Sequence, residues 1–121
     1  VRIQEWPLDG RWVMTLHGII NLQAFFQLDE AILRVIKKSV FKIELEMSDV
    51  KHMDYRGVEI LVKRAERLRG YGGALVLKGL SPYLVNILQM AGAVDQTGAA
   101  GSFKIEGGTP ETGDLFTRDS G

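Results

Sequence analysis

From Phe41 to Met47 apolar and charged residues alternate without a break, with Phe41, Ile43, Leu45 and Met47 on one side and Lys42, Glu44 and Glu46 on the other. Period-two alternation is the signature of a strand with one face in a core and the other in water. A strand held between two helix layers would be apolar on both faces, so this pattern predicts helices mainly on one side of the sheet. The opening segments "VRIQEW" and "RWVMTLH" alternate as well. Between them "PLDG" supplies turn chemistry through Pro7, Asp9 and Gly10, which predicts an N-terminal hairpin over residues 1 to 17.

The period changes at residue 21. Leu22, Phe25, Leu28, Ile32, Val35 and Ile36 recur at helical spacing, with Asn21 placed to cap the start and Lys37 and Lys38 suited to the negative end of the helix dipole. A second helix, beginning near Asp54, has Val58, Leu61, Val62, Ala65 and Leu68 as its apolar stripe and Arg56, Glu59, Lys63, Glu66 and Arg67 opposite. Gly70, Gly72 and Gly73 end it and return the chain into the strand "ALVLKGL". Ser81 and Pro82, a cap and a first-turn residue, announce a third helix that Gly92 closes, and "SFKI" at 102 to 105 is a candidate last strand. The order β-β-α-β-α-β-α with a final short β predicts an α/β fold. Its sheet is mixed, of four or five strands, with the antiparallel hairpin at one end and helices mainly on one face. One domain is expected over residues 1–105. An acidic, Gly- and Thr-rich tail follows at 106–121, expected to be mobile, with little apolar content beyond Leu115 and Phe116.

Composition narrows function by exclusion. Fifteen Lys and Arg balance fifteen Asp and Glu, so no broad positive field points to nucleic acid. The lack of Cys removes disulfides, thiolate nucleophiles and thiolate metal ligands. His17 and His52 stand without a spaced set of carboxylates, so neither a metal nor another cofactor is expected. No apolar run of about 18 residues is present, which argues against membrane insertion and makes the cytoplasm the expected location.

The ordered set Asp54, Gly57, Gly72, Gly73, Ser81, Pro82 and Gly92, within "MDYRGVEILVKRAERLRGYGGALVLKGLSPYLVNILQMAGAV", resembles the STAS family, named for sulfate transporters and anti-sigma factor antagonists. That family's pattern runs Asp-Ser-Ser-Gly, an apolar helix, a Gly-Gly turn, a hydrophobic strand, then Ser-Pro and a helix ending in Gly. The preceding "LHGIIN" resembles its Gly-Glu-Leu-Asp approach to the first helix, with Gly18 kept, Ile19 in place of the acid and Asn21 in place of Asp. The resemblance covers about residues 1–105 and implies a docking module without enzymatic activity. In the antagonists, an unmodified serine near the start of the second helix lets the protein bind a kinase-like anti-sigma factor, and phosphorylation of that serine breaks the complex. A phosphate adds roughly −1.5 to −2 charges inside a packed contact and can sit at a helix N-terminus without unfolding the domain. Here Tyr55 and Arg56 stand where the pattern has its two serines, and the acceptor position falls on Arg56. Arginine neither accepts the phosphoryl group nor imitates it, its charge having the opposite sign. The resemblance therefore implies a regulatory protein of a bacterial partner-switching or sigma-factor pathway that lacks the usual serine switch.

The expected partner-binding residues are Asn21, Asp54, Tyr55, Arg56, Gly57 and Glu59, on the loop and first helical turn from His52 to Glu59 with Asn21 alongside. Several have plainer readings. Arg56 could be a solvated surface residue, Tyr55 could fold back on the sheet, and Asp54 and Asn21 could be helix caps first. The basic set Lys63, Arg64, Arg67 and Arg69 could meet an acidic partner or be a wet helix face. His52 has no identifiable nucleophile or orienting acid, so no catalytic site is assigned. Two rival functions are an accessory STAS subunit of a transport complex and a small-ligand or nucleotide sensor with its ligand at the strand ends. A homodimer is compatible with the sequence.

Overall fold

In the computed structural model, which describes residues 1–97 and 99–106, the opening alternation becomes strands β1 (Arg2–Leu8) and β2 (Arg11–Ile20), paired antiparallel from Arg2↔His17 to Leu8↔Arg11. Asp9 and Gly10 alone form the turn. Pro7 lies within β1 opposite Trp12, a position open to proline because β1 is an edge strand. The chain continues through α1 (Leu22–Lys37), β3 (Lys42–Met53), a 3-10 turn (Tyr55–Gly57), α2 (Val58–Gly70), β4 (Ala74–Lys78), α3 (Pro82–Met90) and β5 (Lys104–Glu106). The sheet has five strands in the order β1-β2-β3-β4-β5, antiparallel at β1/β2 and parallel from β2 to β5. Of the tail expected at 106–121, residues 107–121 lie outside the described residues, and Glu106 ends β5.

One core holds the fold together. Met14, Leu16, Ile43, Leu45, Leu75 and Leu77 of the sheet pack with Phe25, Leu28, Ile32, Leu61, Leu68 and Leu84 of the helices in a single buried cluster. Burying such a side chain contributes roughly 1.5–3 kcal/mol. Val13, Glu44 and Val76 alternate with these residues and point to the opposite face. They are buried yet stand outside the cluster, because the helices occupy one side only.

The charged face of β3 is nevertheless drier at its centre than its alternation predicts. Glu44 is 7% exposed. Its carboxylate meets Arg11 Nε at 2.9 Å and Lys78 Nζ at 3.3 Å. Val13 and Val76 flank it in register on β2 and β4. No helix lies over this spot, and the stems of long charged side chains can shield it instead.

The alternation ends at Met47 but the strand does not. β3 continues to Met53, and its buried residues beyond Met47 are Val50 and Met53, three apart. Its register against β2 slips twice, between Thr15 and His17 and between Gly18 and Ile19. Each bulge adds a residue to one strand and turns the following side chains, so the period of two is lost. Asp49 and His52 are thus strand residues, and the loop expected from His52 shrinks to Asp54. On the open face Asp49 pairs with His17, Oδ2 to Nδ1 at 2.6 Å, and that bond holds its carboxyl below the ordinary range. The second helix also begins later than Asp54, at Val58, because the 3-10 turn intervenes.

Candidate functional site

The ends of β2 and β3 are tied by the Asp54 N–H, which donates to the Ile20 carbonyl at 2.9 Å. This bond sets Asn21 and Asp54, which follow the two strands, beside each other at the start of their helical segments. Asn21 caps α1, its Oδ1 accepting from the Ala24 N–H at 2.8 Å. Asp54 caps the 3-10 turn, accepting from the Arg56 N–H at 2.9 Å. Both therefore satisfy backbone donors left free at a helical start.

The Asp54 carboxylate also holds the Arg56 side chain. Nε donates to Oδ1 at 3.0 Å and Nη2 to Oδ2 at 2.6 Å. The Arg56 side-chain hydrogen bonds, followed by its backbone N–H, lower the Asp54 pKa from 3.8 to about 2. The same contact raises the pKa of the guanidinium. Arg56 is exposed, its side chain 64% accessible, yet its fork is engaged within the chain. A cation disfavoured beside a helical N-terminus is thus matched by an anion two residues away.

Tyr55 projects outward between these two residues, and Glu59 is exposed in the first turn of α2, with Lys63 Nζ at 3.9 Å from its Oε2. Gly57 is buried. A Cβ there would fall inside the Phe25 ring, so glycine is what allows the 3-10 turn to rest on α1. It shapes the surface from beneath and does not line it.

Asn21, Asp54 and Tyr55 share a cleft of about 670 Å³ with Ile19, His52 and Met53 of the strands and Tyr83, Asn86, Ile87 and Met90 of α3. Ile19, Tyr55, Tyr83 and Met90 are each more than half exposed. His52 Nδ1 lies 2.6 Å from the Tyr83 hydroxyl, which links the end of β3 to α3. A shallower hollow of about 280 Å³ lies alongside, lined by Tyr55, Arg56, Glu59, Met90 and Ala91. Tyr55 and Met90 belong to both and form the ridge between them. A concave apolar surface with aromatic anchors and a few polar groups at its margin suits recognition of another molecule.

A family model described as "Mlab, STAS domain" matches residues 8–98. The chain belongs to the STAS family. This STAS domain is 24% identical over 104 residues, 80% of its own length and 90% of the relative's, to BtrV of Bordetella bronchiseptica, a protein named as a putative anti-sigma factor antagonist. It is similar in fold to the anti-sigma factor antagonist SpoIIAA in its unphosphorylated form, with a TM-score of 0.66, 19% identity and 99% of each chain covered. A Thermotoga maritima protein, also named as a putative anti-sigma factor antagonist, matches with a TM-score of 0.71 at 16% identity, over 95% of this chain and 92% of that one.

Within the STAS domain, sequence reasoning missed the α3 side of the cleft. Tyr83, Asn86, Ile87 and Met90 follow helical spacing, but Leu84, Val85 and Leu88 make the rest of α3 apolar too, so no single stripe stands out. The basic side chains of α2 are partly spent on internal ties, since Arg64 Nε meets Asp29 Oδ1 at 2.5 Å and Arg69 Nη1 donates to the Gly101 carbonyl at 2.7 Å. Among the described residues no group of three or more His, Cys, Asp or Glu side chains could hold a metal ion, and no helix is long and apolar enough to cross a membrane.

Proposed function

We propose that this STAS domain is a non-enzymatic, cytoplasmic docking module of a bacterial partner-switching pathway. Its partner is a protein, of the kinase-like anti-sigma factor class, and its contact surface is the ridge of Tyr55 and Met90 with the cleft beside it. The observation that carries this reading is the gathering of Ile19, Tyr55, Tyr83 and Met90, all exposed, around the start of the 3-10 turn. Large apolar and aromatic side chains clustered at a cleft are what protein interfaces use as anchors. Support comes from the relatives named as anti-sigma factor antagonists. It also comes from Asn21, Asp54 and Arg56, whose polar groups are engaged as caps and an ion pair within the chain.

The reading gives Arg56 a supporting part. With its fork on Asp54 it presents little free charge, and serine phosphorylation at this position is not available to the chain. Regulation, where it exists, runs by another route.

The test is binding of the full chain to the kinase-like anti-sigma factor encoded in the same genome, measured by calorimetry. Tyr55→Ser combined with Met90→Ser should weaken it by at least about tenfold, or ~1.4 kcal/mol. Replacing Lys42 and Lys104 on the distant open face by Ser should leave it unchanged. Equal loss from both pairs, or loss from the open face alone, would move the interface elsewhere.

A further inference from the structure

We propose that the segment 107–121 of this chain docks on its own cleft, with Leu115 and Phe116 seated against Ile19, Tyr55, Tyr83 and Met90. Where the docking reading above holds, this segment would compete with the partner for the same surface, a regulation that does not need a serine at position 56.

The polarity of the sheet is the first support. β5 runs parallel to β4, β3 and β2, so at Glu106 the chain is directed toward the carboxyl end of the sheet, the end that carries the cleft. Glu106 is level with Lys78 and, one strand further, with Glu46. From there β3 climbs six residues to His52, roughly 20 Å, and the two strand spacings add roughly 10 Å sideways. Leu115 stands nine residue steps beyond Glu106. Extended, those nine steps span about 30 Å, more than the diagonal of about 22 Å that must be crossed.

Chemistry is the second support. Residues 107–114, GGTPETGD, contain no large apolar side chain, and Leu115-Phe116 is the one apolar pair between Gly107 and Gly121. It lies beyond residue 98, where the match to the family ends. A leucine and a phenylalanine suit a surface of isoleucine, methionine and two tyrosines, on which an aromatic ring can stack offset or edge-on. A short tether also holds the pair at an effective concentration on the order of millimolar, so a contact too weak between separate molecules is populated within one.

Because the chain has no cysteine, Ser120→Cys gives a single attachment point for a nitroxide spin label in an otherwise intact, isotope-labelled protein. Paramagnetic broadening should reduce the amide signals of Ile19, Tyr55, Tyr83 and Met90 several-fold, and leave Gly10 and Lys42, at the opposite end of the sheet, little changed. Adding Leu115→Ser and Phe116→Ser to the labelled chain should abolish the selectivity. Uniform broadening, broadening centred elsewhere, or a pattern indifferent to the double substitution would each overturn the proposal. So would the same cleft broadening when the label sits on a separate, NMR-silent copy, since a second molecule would then be the occupant. No partner is present in this measurement. Its failure therefore leaves the docking reading standing, and failure of the Tyr55/Met90 binding test leaves this contact standing.

Discussion

Arg56 reaches back over one residue to grip Asp54, Nη2 to Oδ2 at 2.6 Å and Nε to Oδ1 at 3.0 Å. The 3-10 turn brings the two within reach, and Asp54 is simultaneously the cap of that turn. One carboxylate thus serves a backbone donor and a cation together. The charge of Arg56 is matched at its source, so the surface presented nearby is dominated by Tyr55 and Met90 and not by a free guanidinium.

The Asp54 carboxyl should titrate near pH 2 in a carboxyl-carbon NMR titration. Its folded pKa lies below the ordinary 3.8, so its contribution to stability is present above about pH 4 and is lost as pH falls through about 2. In Arg56→Gln the midpoint should rise toward 3.8 without reaching it, because the backbone N–H at position 56 still donates to the carboxylate. A midpoint unchanged by the substitution would show that the pair is not formed in solution.

Gly57→Ala should destabilise the fold by about 1–3 kcal/mol in urea denaturation, the usual cost of overpacking. The added methyl would fall within the ring of Phe25, which is fully buried. Phe25→Leu in the same chain should recover part of the loss relative to the sum of the single changes, since the two positions compete for one space. Strict additivity would place the strain elsewhere.

Glu44→Gln should cost about 1–3 kcal/mol, because it leaves Arg11 and Lys78 facing a neutral amide. Glu44→Leu should cost less than Glu44→Gln when both cations are replaced with it, Arg11→Met and Lys78→Met. Valines flank the site, and replacing an ion pair by packed apolar groups is often neutral. Chemical denaturation of the single and combined variants decides the order.

Arg56→Ser places a hydroxyl at the position where the resemblance sets the phosphoacceptor. Incubated with ATP and the kinase-like anti-sigma factor, this variant should gain one phosphate at residue 56, seen by mass spectrometry, and its phosphorylated form should bind more weakly. The natural chain should gain none there. An Arg56→Ser chain left unmodified would show that this turn is not presented to the kinase.

Local chemistry made much of the fold legible. The alternation at 41–47, the helical spacing from Leu22 and the caps Asn21 and Ser81 each depend on neighbours a few residues away, and each stands in the structure. The second half of β3 was not legible, because two bulges against β2 replace a period of two by one of three. The Asp54–Arg56 pair escaped for a related reason. Side chains two apart do not face each other on a regular helix, and the pair forms because Asp54 is an extended cap residue ahead of the 3-10 turn.

The site divides along the same line. Sequence alone determined that a helical start lies at Asp54, Tyr55 and Arg56, that Asn21 is placed to cap the first helix, and that glycine stands at position 57. Tertiary structure alone decided which apolar residues stay uncovered. Tyr83 and Met90 lie on a helix apolar on nearly every side, and only the placement of α3 against β3 and the 3-10 turn leaves them beside Ile19 and Tyr55. Burial is a property of what packs against a residue, and for this cleft the packing elements come from segments far apart in the chain, from Ile19 to Met90.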